Sequence, residues 1–159
     1  MTEAARRVLD SCRGAVDDLP DGIQGDAWRR RWITAVVLLR AVGHVLKNVD
    51  SDQDHAYRDA IAAAWDSITK SKPNPLIFWG FIEDERNNIL KENLTVAGQG
   101  VTVHLGAKPW SEHHYVINSG PFRGREQRDL LREAIAWWER YLDQIDADAE
   151  AHRQPQLTP

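Results

Sequence analysis

Apolar residues recur at helical spacing along most of this chain and alternate at strand spacing along one short stretch. Residues 2–19 read as a short helix that starts after Thr2. The segment PDGIQGD, residues 20–26, then breaks it with two glycines and a proline. Asp26 is placed to cap a long helix over 27–50. Between Trp32 and Leu46 its apolar positions occupy nearly the whole circumference, the pattern of a central, largely buried helix. SDQD supplies caps for a third helix over 55–70. SKPNP ends that helix, because proline lacks the N–H and restricts the residue before it. Pro75 suits the first position of a fourth helix, over 75–92.

The texture changes after residue 93. LTVAGQGVTVHLG and HHYVINSG carry β-branched residues with period-two alternation and glycine punctuation. They predict a β-hairpin or a two-strand excursion, with AKPWSE as the connection. GPFRG breaks the chain again. The last helix is expected over 125–150, with Leu131, Ile135, Trp138, Leu142 and Ile145 forming its buried stripe. Its acidic end, DQIDADAE, opposes the helix dipole and is expected to be solvated and frayed. The fold class is therefore mainly α: a four- to five-helix bundle with a small β-hairpin before the C-terminal helix. A single domain over 1–150 and a disordered tail over 151–159 complete the expectation.

One position disturbs the fourth helix. On a wheel of about 100° per residue, Trp79, Ile82, Arg86, Ile89 and Leu90 share a sector, with Glu83 beside it. A buried guanidinium needs a paired, hydrogen-bonded partner, or its desolvation dominates. Three readings of Arg86 stand open. It could be an internal clamp on a carboxylate, for which Glu83 is the local candidate. It could be held for a phosphate, which the planar guanidinium fork matches. It could also snorkel past the apolar sector.

Composition changes the picture modestly. With 159 residues, 42% apolar and 28% charged, the chain has ordinary globular proportions and room for a real core. The net charge of -4 excludes a global basic field for nucleic acid, although Arg29, Arg30 and Arg31 form a dense local cluster. The lone Cys12 excludes an intrachain disulfide framework and fits a reducing compartment. No apolar signal segment opens the chain, and AVVLL is short for a bilayer, so a cytoplasmic protein without a membrane segment is expected. Seven tryptophans supply much apolar area, and each buried indole N–H wants an acceptor.

ERNNILK, around Arg86, resembles the signature segment of HEPN-domain proteins. That family is an all-helical bundle, usually dimeric. Its motif is an arginine followed by a polar residue, then a histidine after four to six intervening residues. In active members the motif implies metal-independent RNA cleavage, and many members serve toxin–antitoxin, phage-defence or RNA-processing systems. The resemblance implies Arg86 and Asn87 at the motif positions. Lys91, Glu92 and Asn93 stand where the histidine would be. A lysine would need a large pKa depression to act as a base, and neighbouring Glu92 works against one. Lys91 suits holding a phosphate, which favours binding over cutting. The expected partner is RNA or another protein, and the expected assembly a homodimer.

Further constellations are less specific. Arg40 and His44 lie one helical turn apart, on the side that also carries Lys47 and Arg29. With Arg86 they would make a composite anion site, in which His44 would supply the missing acid–base group. The plainer reading is the polar edge of a buried helix. His104, His113 and His114 would be the candidates for a metal, but no HExxH or paired CxxC spacing supports one. GxGxxG, P-loop and GxSxG patterns are missing, so no cofactor is expected. Trp138 joins the core stripe, while Trp137 points about 100° away, into the core or toward a partner. Three functional classes follow: an RNA- or protein-binding HEPN-like module, a non-catalytic interaction protein with Arg86 as a structural clamp, and a small-molecule binder with an aromatic pocket between helices.

Overall fold

The computed structural model of the protein describes residues 1–19 and 22–153. Pro20 and Asp21 of the expected linker, and residues 154–159 of the expected tail, lie outside the described residues. Among the described residues, five α-helices and one β-hairpin follow in chain order: α1 (Glu3–Asp17), α2 (Gly25–Asn48), α3 (His55–Lys70), α4 (Asp84–Glu92), β1 (Ala97–His104), β2 (Trp110–Ile117) and α5 (Gln127–Arg153). A π-helical turn, Phe78–Glu83, runs directly into α4, and a 3₁₀ turn, Asp50–Asp52, precedes α3. The mainly α bundle with a hairpin before the last helix is what the periodicity predicts.

α1 packs along α2, and α5 lies against both α1 and α3. Trp32, Leu39, Tyr57, Phe78, Phe81, Trp138 and Leu142 form the fully buried centre. The stripe of Leu131, Ile135, Trp138, Leu142 and Ile145 is buried as expected. Trp137 is half-buried and stacks on Tyr141, at 5.0 Å between ring centroids, so it belongs to the packed interior. α2 is less enclosed than its apolar circumference suggests. One face, Trp28, Trp32, Ala35, Val36, Leu39 and Val42, meets the bundle. Val37 on the opposite side remains 40% exposed. Within residues 25–52 an 18-residue window is long and apolar enough to cross a bilayer by length and hydropathy, a property that the core helix of a bundle shares.

Helix ends are satisfied by partners remote in sequence. The N–H groups of Ala4 and Ala5, free in the first turn of α1, donate to the buried Asp50 carboxylate at 3.0 and 2.8 Å. Asp54 caps α3 as expected, accepting from the Tyr57 N–H. Asp26 does not cap α2. The helix already begins at Gly25, whose N–H donates to the Gln99 side chain of β1, and Asp26 sits inside the first turn. The C-terminal end of α5 does not fray at residue 150. Asp146 accepts from the Thr2 N–H at 2.7 Å and from Arg6 at 2.8 Å, Ala149 is fully buried, and Arg153 pairs with Asp54. These tertiary contacts outweigh the unfavourable dipole, so the helix passes the expected domain boundary by three residues.

The hairpin pairs Ala97 with Ile117 through to His104 with Trp110, so Trp110, Ser111 and Glu112 belong to a strand and not to the connection. A two-stranded hairpin is marginal alone. Its base is tied down by Gln127, whose amide N–H groups donate to the Gly98 and Val116 carbonyls while its oxygen accepts from the Trp28 indole. Tyr115 adds a bond to the Ile23 carbonyl at 2.6 Å. The outer half, with Val101, Val103 and Trp110, stands in solvent.

Candidate functional site

The sector predicted to bury Arg86 is not the one buried. Ile82 and Ile89 belong to two overlapping faces of this helix. One adds Trp79, Arg86 and Leu90; the other adds Phe78, Phe81 and Glu85. The structure buries the second: Phe78, Phe81, Ile82, Glu85 and Ile89 are enclosed, while Leu90 is 64% exposed. Arg86 keeps about a third of its side chain exposed. Two physical causes act together. Phe78 and Phe81 offer large rings to Trp138, Trp32 and Phe122, at centroid separations of 5.8, 6.0 and 6.2 Å. The π turn also takes up one residue more than an α turn, so a wheel of constant pitch fails across it.

Glu85 is thus the charged group in the apolar face. It accepts from the Trp32 indole N–H at 2.7 Å and from the Val96 N–H at 3.1 Å. Burial pushes its carboxyl above the ordinary range; the donors from Trp32, Val96 and Asn88 pull the other way. Sequence reasoning missed this residue, although Phe78, Ile82, Glu85 and Ile89 keep a four–three–four spacing that marks a core stripe. A tryptophan N–H in need of an acceptor was the other available signal.

Between α2 and α4 the structure brings most of the predicted residues together. Val37, Arg40, Ala41, His44, Arg86 and Leu90 line a groove of about 220 Å³. Arg40 Nε donates to Glu83 Oε2 at 2.5 Å, an interhelical clamp. Arg86 lies 3.9 Å from the same carboxylate, and its Nη1 donates to Asn87 Oδ1 at 2.6 Å. The clamp expected of Arg86 is therefore made by Arg40, because α2 approaches Glu83 more closely than the next turn of its own helix does. Two guanidiniums share one carboxylate, with an imidazole beside them. Of the four catalytic candidates only His44 and Arg86 line this groove; Asn87 reaches it through its bond to Arg86, and Lys91 is exposed and lies outside it. Arg29 is engaged elsewhere, donating to the Asn93 carbonyl and side chain at 2.7 Å each.

Of the three hairpin histidines, His104 and His114 lie 3.8 and 4.0 Å from Glu112 Oε2, while His113 lies apart. His104 stacks on Trp110, His113 meets Gln24 and His114 meets Thr102. Among the described residues no group of three His, Cys, Asp or Glu side chains is arranged to hold a metal. Cys12 is fully buried, and its thiol is pushed up to about 12 by burial. Comparison with family models, with curated proteins and with solved structures finds no match to this chain.

Proposed function

We infer that the protein is a helical binding module that holds a phosphate-bearing partner, RNA, in the α2–α4 groove without cutting it. The observation that carries this reading is the sharing of Glu83 by Arg40 and Arg86, which leaves excess positive charge in the groove of an otherwise acidic chain. Guanidinium forks match phosphate oxygens, and partial exposure leaves Arg86 able to reach them. His44 adds a donor on the same wall. Asn87 already accepts from Arg86 and so orients the arginine rather than the substrate. The HEPN-like RN pair supports the same choice of partner. Exposed Val37 and Leu90 flank the charges, and a second copy of the chain is the proposed neighbour on that side.

Fluorescence anisotropy with labelled single-stranded and hairpin RNAs, in EDTA, tests this directly. Binding should weaken with salt, with a log–log slope of about -0.7 per phosphate contact on single strands. Arg86→Ala should lower affinity and flatten that slope by about one contact, with no change in RNA length on a denaturing gel. Absence of binding at roughly 50 mM salt, or an unchanged slope in Arg86→Ala, would overturn the reading.

The Arg40–Glu83 bond also favours a structural role for these charges. Under a purely structural reading, Arg86→Ala would leave RNA behaviour untouched.

A further inference from the structure

From Asn93 to Ala107 the chain carries no Asp, Glu, Lys or Arg, although 28% of its residues are charged. β1 lies inside this stretch. Val101, Val103 and Leu105 are 55%, 60% and 89% exposed. Sheet edges are ordinarily guarded by charge, proline or a bulge. Apart from the His104 imidazole, β1 has none of these. Its register with β2 runs from Ala97 and Ile117 to His104 and Trp110 without a bulge.

The ladder fixes which backbone groups that edge offers. The Asn118 N–H donates to the Val96 carbonyl, so that pair bonds inward. One residue before it, Ile117 turns its N–H to the Arg125 carbonyl and its own carbonyl to the Gly124 N–H, away from β1. Antiparallel pairs alternate between these two states. Gly98, Gly100, Thr102 and His104 therefore bond β2, and Gln99, Val101 and Val103 turn N–H and C=O outward. Among the described residues nothing bonds those outward groups. β2 differs, since Glu126 already bridges Val116 on its outer edge. Side chains alternate with the same period. Val101 and Val103 share one face of β1. Thr102 and His104 share the other, where Thr102 bonds His114 and His104 stacks on Trp110.

We propose that the outer edge of β1 pairs antiparallel with the same edge of a second copy, with residue 102 opposite residue 102. Val101 of each chain then faces Val103 of the other, so both valines of each copy meet in one cluster. These positions carry the outward backbone groups and form the hydrogen-bonded rungs. The occupant is a second copy because the edge is self-complementary. An uncharged strand meets its own image without like-charge repulsion, and β-branched residues pair well with one another. Four strands replace two, which supplies the support that a lone hairpin lacks. Antiparallel pairing also puts the two helical bundles at opposite ends of the shared sheet, which keeps them apart.

Oxidative cross-linking reads the register. Residue 102 faces itself in a non-hydrogen-bonded pair, with Cα atoms about 4.5 Å apart, inside the range that a disulfide spans. Thr102→Cys should therefore give a disulfide-linked dimer on a non-reducing gel after mild copper–phenanthroline oxidation. Gly100→Cys is the control, because its added Cβ meets His114 at an ordinary 3.9 Å. Its two copies would stand roughly 14 Å apart along the strands, out of disulfide reach. Cys12 is buried, with its thiol pushed up to about 12, and does not compete. Sedimentation velocity measures the association without a cross-link. Wild type should gain mass with concentration. Val103→Lys, an exposed change, should weaken that association by roughly tenfold or more with the far-ultraviolet circular dichroism unchanged. Equal cross-linking of Thr102→Cys and Gly100→Cys, cross-linking of neither, or wild-type sedimentation of Val103→Lys would overturn the proposal. None of these residues borders the α2–α4 groove, so such a failure leaves RNA binding, and the neighbour beside Val37 and Leu90, untouched.

Discussion

Glu85→Ala would leave two donors in the core without an acceptor. The Trp32 indole N–H, now 2.7 Å from Oε1, and the Val96 N–H would both lose their partner. An orphaned buried donor costs ~1–3 kcal/mol, and the lost packing of the side chain adds roughly 1 kcal/mol. Relief of the carboxylate's own desolvation offsets part of this. The net expectation is a loss of about 3 kcal/mol, or a melting temperature lower by roughly 6–12 °C for a chain of this length. Glu85→Gln should behave differently. An amide oxygen at the Oε1 position can accept from both Trp32 and Val96, so this variant should fall within about 1 kcal/mol of wild type.

The pH dependence separates the two effects. The folded pKa of Glu85 lies above its unfolded value, so folding takes up a proton in the window between them. That contribution to stability is fully present below the unfolded carboxylate value and is lost as pH rises through the folded value. Glu85→Gln should remove this contribution, so its stability relative to wild type should improve as pH rises through that window. Urea denaturation followed by circular dichroism, on all three proteins across the weakly acidic range, measures both quantities. A drop of under about 2 °C in Glu85→Ala, or an identical pH profile in Glu85→Gln, would refute the account of this residue.

Other expectations follow from single contacts. Asp50→Ala should cost roughly 2–4 kcal/mol in urea denaturation, because it strands the Ala4 and Ala5 N–H groups at the start of α1. Cys12, with its thiol pushed up to about 12, should resist iodoacetamide at pH 8 in the native protein and react promptly in urea, which mass spectrometry would read. Gly43→Ala should destabilise by about 1–3 kcal/mol in thermal melts, because the crowding of its Cβ against Trp138 outweighs the roughly 1 kcal/mol of helix propensity that alanine gains.

The number and kind of elements could be read from the sequence alone, because they depend on local rules. The stripe on α5, the Asp54 cap, the proline break after α3 and the alternation of the hairpin all have causes within a few residues of the position concerned. Helical spacing also placed Arg40 and His44 on one edge of α2, but that Arg86 of the next-but-one helix faces them was only one of the readings the sequence left open. What only the tertiary structure decided was which side of a helix is inside and which remote group satisfies a polar atom. The choice between Arg86 and Glu85 was made by the π turn, by the rings around Phe78 and Phe81, and by the Trp32 N–H. None of these is visible on a wheel of constant pitch. The same holds for the capping of α1 by Asp50 and the pinning of the chain start by Asp146. Desolvation is settled by partners from anywhere in the chain, whereas periodicity reports only on neighbours.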